Sequence, residues 1–221
     1  MKTKKLVIIG NTSNARLAKF FFQNDSEYEV AAFSVDRKYI NSEKYEGLPV
    51  VAIEDITDYY PASNYHAFVA IGYNKMNKTR EYLYHKIKSK GYNLPNYISS
   101  RCSFLTQEPI GDNNLILEDN TIQPFVKIGS DNVFWSGNHI GHDTEIEDHC
   151  FISSHVVISG FVKVKSYCFF GVNSTIRDAI TINRETLIAA GAIITKDTVE
   201  KGVYLPAKSS LIDKKSDDIE L

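Results

Sequence analysis

The residues of this 221-residue chain best suited to chemistry are its six histidines and three cysteines. His139, His142, His149 and His155 fall within one short stretch. An imidazole with an ordinary pKa near 6.5 is neutral at physiological pH, so it can accept a proton from an attacking nucleophile or ligate a metal. A zinc centre of three histidines converging across a subunit interface, as in carbonic anhydrases of the gamma type, needs two of them about five residues apart. The successive gaps here are 3, 7 and 6 residues, so no metal is expected. Cys102, Cys150 and Cys168 are odd in number and lack a Cys-x-x-Cys pair, which argues against a disulfide framework or a zinc knuckle. Near the start, Gly10-Asn-Thr-Ser-Asn-Ala15 keeps only the first glycine of Gly-x-Gly-x-x-Gly. A nicotinamide dinucleotide is therefore not expected, although a strand-to-helix turn still aims backbone amides at an anion.

Two halves of the chain would position these residues. Residues 1–100 alternate strand-like and helix-like segments: strands at 5–10, 29–36, 48–53 and 66–72, and helices at 13–22 and about 76–90. That β-α-β order predicts a small Rossmann-like parallel sheet. From Ile110 to Ile194 every sixth residue is bulky and apolar without a break. If roughly 30% of residues qualify, such a run has a chance probability on the order of 10⁻⁸, so it is a repeat. A period of six suits a coil of three short strands, each hexapeptide forming one face and sending one side chain into a triangular core. Gly111-Asp-Asn, Glu118-Asp-Asn, Gly129-Ser-Asp-Asn and Glu147-Asp-His would turn the corners, where positive φ is needed. Cys150 and Cys168, one 18-residue coil apart, read as stacked core residues. The expected division is 1–100, 101–208 and a polar tail at 209–221.

Composition narrows the partners. Hydrophobic residues at 43% and charged residues at 24% are ordinary for a soluble protein. Twenty-five basic against 27 acidic residues leave a formal charge of −2, with no electrostatic reason to expect nucleic acid. No apolar run approaches the roughly 20 residues of a membrane span, so no membrane insertion and a cytoplasmic location are expected.

The chain resembles a family of bacterial sugar acyltransferases that includes sialic acid O-acetyltransferase and the N-acetyltransferases of UDP-4-amino sugars and GDP-perosamine. The N-terminal likeness rests on Leu6-Val-Ile-Ile-Gly10, Phe68-Val-Ala-Ile-Gly72 and Lys88-Ser-Lys-Gly-Tyr92. The C-terminal likeness rests on Ile140-Gly-His-Asp-Thr-Glu-Ile-Glu-Asp-His149, Phe170-Gly-Val-Asn-Ser-Thr175 and Pro206-Ala-Lys208. The resemblance implies a left-handed parallel β-helix and a homotrimer with acetyl-CoA lying between neighbouring subunits.

The same resemblance carries individual roles. It makes His142 the general base of an Ile-x-His-(Asp/Glu) motif and Asp143 the carboxylate that raises its basicity. It places Gly160 against the cofactor. Phe151 stands where some relatives have a histidine that contacts the acyl donor. A nucleotide sugar would be held by Gly10, Thr12, Ser13 and Asn14, with Asp36 near the base or ribose and Gly72-Tyr73-Asn74 closing the crevice. Many relatives have Gly-His where Ser13-Asn14 stands. His139, His149 and His155 read as surface or interface histidines. The implied reaction is acetyl transfer from acetyl-CoA to a nucleotide-linked amino sugar, with no metal. O-acetylation of a sugar hydroxyl and a non-catalytic nucleotide-sugar scaffold stay open beside it.

Overall fold

The computed structural model describes residues 2–211, 213 and 215–219. Met1, Ile212, Lys214, Glu220 and Leu221, four of them in the tail, lie outside the described residues. The N-terminal part runs β1 (Lys4–Ile9), α1 (Ser13–Asn24), β2 (Tyr28–Val35), β3 (Lys44–Tyr45), β4 (Leu48–Ala52), α2 (Ile56–Tyr59), β5 (His66–Val69) and α3 (Lys78–Ser89). Its sheet has the order β3-β4-β2-β1-β5 and is parallel except at β3, which pairs antiparallel with β4. The sheet is thus mixed, with one antiparallel edge strand added to the parallel set the sequence predicts. Alternation in β1 buries both faces: Leu6 and Ile8 join Ala15, Ala18 and Phe22 of α1, while Val7 and Ile9 join Tyr84 and Ile87 of α3.

From Tyr97–Ile98 onward the chain winds as a three-faced prism of two-residue strands. The first face holds seven strands from Tyr97–Ile98 to Val203–Tyr204, the second six from Ser103–Phe104 to Ile193–Ile194, and the third four from Lys127–Ile128 to Thr181–Ile182. Each strand pairs in parallel with the one a full coil away, as Phe151 does with Val133 and Phe169. The second residue of each strand points inward, so Ile116, Ile122 and Ile128 meet from the three faces of one coil, Phe134 stacks on Ile116 in the next, and their later counterparts extend the same core. Each buries an aliphatic or aromatic side chain worth about 1.5–3 kcal/mol.

The corners show what enforces the winding. Every sixth residue from Asn113 to Gly191 has positive φ, between 55° and 77°. Asn113, Asp119, Asp131 and His149 take this conformation in the four turns expected from the sequence. Phe125, Phe161, Tyr167, Ala179 and Glu185 take it as well, at sites no residue preference marks. The residue after several of these corners is a buried asparagine whose side chain caps the next coil. Asn114 Oδ1 accepts from the backbone of Asn132, Asn132 from Cys150, and Asn138 from Val156.

Candidate functional site

His142 occupies the corner between the second and third faces. Gly141 before it donates its backbone N–H to Ile158 O at 2.8 Å, and His142 N–H is held by Gln123 Oε1 at 2.8 Å. The imidazole and the neighbouring carboxylate are both exposed, and His142 Nδ1 lies 2.9 Å from Asp143 Oδ2. A carboxylate accepts only, so Nδ1 carries the proton and Nε2 presents its lone pair. Asp143 itself sits at φ 56°, turning the chain immediately after the histidine.

Two glycines clear the space. A Cβ at Gly141 would stand 2.5 Å from Gly160 N, so the coils could not stack with any side chain there. A Cβ at Gly160 would stand 3.1 Å from both Cε1 and Nε2 of His142, so the imidazole lies directly over this glycine and a side chain there would crowd it. Phe161 meets the His142 ring edge-on at 4.9 Å and, like Phe125 one coil before Asp143 in the same column, is largely exposed. The structure therefore assembles His142, Asp143 and Gly160 as one group with an apolar rim.

Phe151 is elsewhere. It lies on the first face, buried, stacked on Phe169 at 5.6 Å and capped by Tyr73 at 4.9 Å. The outward positions of that face, Leu115, Val133 and Phe151, form one cluster with Phe21 and Phe22 of α1. On the third face the equivalent positions are Lys127, Glu145 and Lys163, all exposed. The N-terminal domain thus packs on the one apolar face, and His142 lies on the corner opposite it. An apolar set at 18-residue intervals beginning at Leu115 is the sequence signal for this docking face.

The N-terminal crevice forms at the ends of β1 and β5. Gly10, at φ +130°, would place a Cβ 2.9 Å from Ala70 O, so close approach of the two strands requires glycine. Thr12 precedes α1 in extended conformation and makes no side-chain cap, which leaves the first amides of the helix beside Ser13 and Asn14 unmatched by it. Asn14 reaches Gly72, where a Cβ would stand 3.0 Å from its Nδ2. Asn14 also lines a narrow apolar cleft with Phe151 and Trp135. Tyr73 and Asn74 are exposed, and Tyr73 closes the crevice against Phe151 and Phe169. Asp36 follows β2 beside a cleft of about 540 Å³ shared with Arg37, Glu54, Tyr82 and Lys86. Its carboxylate pairs with Lys86 Nζ at 2.6 Å, a hydrogen bond that raises the lysine above its ordinary range.

Sequence reasoning missed a buried polar seam along the corner between the third and first faces. Arg80 of α3 is 2% exposed, and its Nε donates to Asp131 Oδ1 at 2.7 Å. Asp131, fully buried, also accepts from Asn113 Nδ2 at 2.6 Å and faces His149 Nδ1 at 2.9 Å. His149 is buried here, not a surface histidine, because α3 covers its corner. His139 is half-buried and His155 exposed, its ring lying over Gly137. Cys150 and Cys168 are free and buried in the prism core, and burial pushes the Cys150 thiol well up.

Residues 126–160 match the family model described as Bacterial transferase hexapeptide (six repeats), inside the stretch where the period of six runs. The acyl-(acyl-carrier-protein)–UDP-N-acetylglucosamine O-acyltransferase of Xylella fastidiosa is 32% identical over 99 residues, 42% of this chain and 38% of its own length. The chain spans well under half the length of such curated relatives. Among solved structures, PerB from Caulobacter crescentus in complex with CoA and GDP-perosamine superposes with a TM-score of 0.79 at 22% identity, over 90% of this chain and 92% of its own. The acetyltransferase domain of PglB from Neisseria gonorrhoeae gives 0.81 at 18% identity, over 93% and 100%. These likenesses show a shared fold, a small α/β domain followed by a left-handed parallel β-helix.

Proposed function

We propose that this hexapeptide-repeat chain is an acyl-CoA-dependent sugar acyltransferase that moves an acetyl group from acetyl-CoA to the amino group of a nucleotide-linked amino sugar. The observation that carries the reading is the exposed His142–Asp143 pair, with the imidazole lying directly over Gly160. Solved structures of the same fold, such as PerB with CoA and GDP-perosamine, support the substrate classes.

In the reaction the amine nitrogen attacks the thioester carbonyl carbon. His142 Nε2 removes the ammonium proton, directly or through water, and Asp143 stabilises the imidazolium that results. The tetrahedral intermediate collapses with cleavage of the C–S bond. The proton held on His142 then passes to the departing sulfur, giving free CoA and the N-acetyl sugar.

His142 and the crevice of Gly10, Thr12, Ser13, Asn14, Gly72, Tyr73 and Asn74 lie on opposite sides of the prism in one chain. A working site therefore joins the His142 corner of one subunit to the crevice of the next, and exposed Val157, Phe161 and Ile193 offer an apolar surface for that neighbour. This arrangement supports a trimer. It also gives Phe151, beneath Tyr73, a place at the acceptor end of the site. Asp36 and Lys86 would meet the nucleotide.

The test is turnover of His142→Ala, read as thiol release from acetyl-CoA in the presence of a nucleotide amino sugar. A fall of at least about 10² is expected. Near-normal turnover would remove His142 from the mechanism.

A further inference from the structure

Helix α3 lies along the third-to-first corner and matches it residue for residue. Lys78 meets Glu185 at 2.8 Å, Arg80 meets Asp131, Glu81 accepts from the Tyr167 hydroxyl at 2.6 Å, and Lys88 meets Asp112 at 2.8 Å. Within this seam three groups stand apart. Glu81 and His85, one helical turn apart, and His149 on the prism bring one ligating atom each to within 4.8 Å of one another. Among the described residues this is the one such set of three.

We propose that Glu81, His85 and His149 form a site for a divalent transition-metal ion of the zinc class, tying the N-terminal domain to the prism. The protonation pattern is already that of a ligand set. His149 Nδ1 faces the Asp131 carboxylate, so its proton resides there and Nε2 is free to ligate. No hydrogen bond engages that Nε2 or either ring nitrogen of His85 among the described residues. Tyr167 holds one oxygen of Glu81 by donating to it, which orients the carboxylate and leaves the second oxygen available. His149 is further fixed by stacking on Tyr167, with ring centroids 5.2 Å apart at 28°, and by edge contacts with Tyr84 and His85.

Two imidazoles and one carboxylate, with the outer partners Asp131 and Tyr167, constitute the donor set that binds zinc with a water in the fourth position. Bonds of about 2.0–2.1 Å require ligand atoms roughly 3.4 Å apart. His149 is buried, whereas His85 is exposed and Glu81 half-buried, so the two helix side chains can close by rotation and solvent gives the ion a path in. The site is on a different corner from His142, and its existence does not depend on acyl transfer.

The experiment is titration of chelator-treated full-length protein with ZnCl₂ against a chromophoric chelator, together with CoCl₂ substitution followed by visible absorption. One Zn²⁺ per chain is expected, with Co²⁺ giving the intense bands of a four-coordinate site. His85→Ala and Glu81→Gln alter groups outside the core and should each weaken affinity by about 10² or more, with unchanged far-ultraviolet circular dichroism. Tyr167→Phe, which loses only an outer hydrogen bond, should weaken it by about tenfold. Absence of stoichiometric Zn²⁺, or binding unaltered in both His85→Ala and Glu81→Gln, would overturn the proposal.

Discussion

Arg80→Met tests whether the buried seam holds the two domains together. The substitution keeps an unbranched apolar stem in a site 2% exposed while deleting the guanidinium that faces the fully buried Asp131. Removing one partner of a buried pair costs about 3–5 kcal/mol, because the other charge is left without compensation. Asn113 Nδ2 and His149 Nδ1 still face the carboxylate, which places the expected loss at the low end, about 3 kcal/mol. Arg80 also donates to Asn113 O at 3.1 Å, and that buried carbonyl loses a partner. The double variant Arg80→Met/Asp131→Leu removes both charges and strands two neutral donors at about 1 kcal/mol each, so it is expected to be no less stable than Arg80→Met alone. Urea unfolding followed by the single tryptophan, Trp135, suits the measurement because that ring lines the cleft between the domains. A loss below about 1 kcal/mol in Arg80→Met, or a double variant that loses the sum of the two single effects, would refute the reasoning.

Gly160→Ala introduces a Cβ 3.1 Å from the His142 ring, displacing the imidazole by a few tenths of an ångström. Turnover is expected to fall about tenfold or more with little change in Tm, whereas equal losses in both would point to packing instead. Low pH should weaken the junction between the domains. Burial pushes the carboxyls of Asp25 and Asp112 up, but hydrogen bonds from Ser100, Ser99 and Tyr97 to the first, and from Lys88, Tyr84 and Ser130 to the second, bring both below the usual range. Their folded pKa values lie below the unfolded ones, so this stability is complete above roughly pH 4 and is lost as the pH falls through the folded values. Urea midpoints measured from pH 6 to 3 should drop, and Asp25→Asn should flatten the curve.

The prism was legible because one side chain per hexapeptide must enter a core with room for nothing polar, and that demand writes an unbroken period of six from Ile110 to Ile194. The N-terminal strands and helices were legible from their alternation for the same reason. Helix α3 begins at Lys78, two residues later than its pattern suggests, because Lys75, Met76 and Asn77 all take positive φ and no sequence preference announces that. The His142 corner was legible through its motif, and the contact with Gly160 follows from the stacking of coils. The seam was not. Glu81, His85 and Arg80 are ordinary polar residues of a helix until α3 is laid against Asp131 and His149, and that placement depends on the outward face of Leu115, Val133 and Phe151.

The corners explain how so regular a core leaves room for chemistry. Phe161 and Tyr167 hold a left-handed backbone that costs roughly 1–2 kcal/mol per residue, and no property of an aromatic side chain favours it. Their conformation is imposed from above and below: Phe161 N–H is bonded to His142 O, Tyr167 N–H to Asp148 O, and each neighbouring coil repeats the pattern. The fold therefore fixes corner backbone through the stack, leaving corner side chains free to differ. One corner can then carry an exposed His142–Asp143 pair within a single turn while another carries the buried Asp131–His149 pair across two coils. Both histidines have Nδ1 at 2.9 Å from a carboxylate oxygen. His142 stands before the positive-φ residue and pairs within its own turn, whereas His149 takes the positive-φ position and pairs across coils with Asp131. The cover of α3 then locks the second pair into the domain junction while the first stays open.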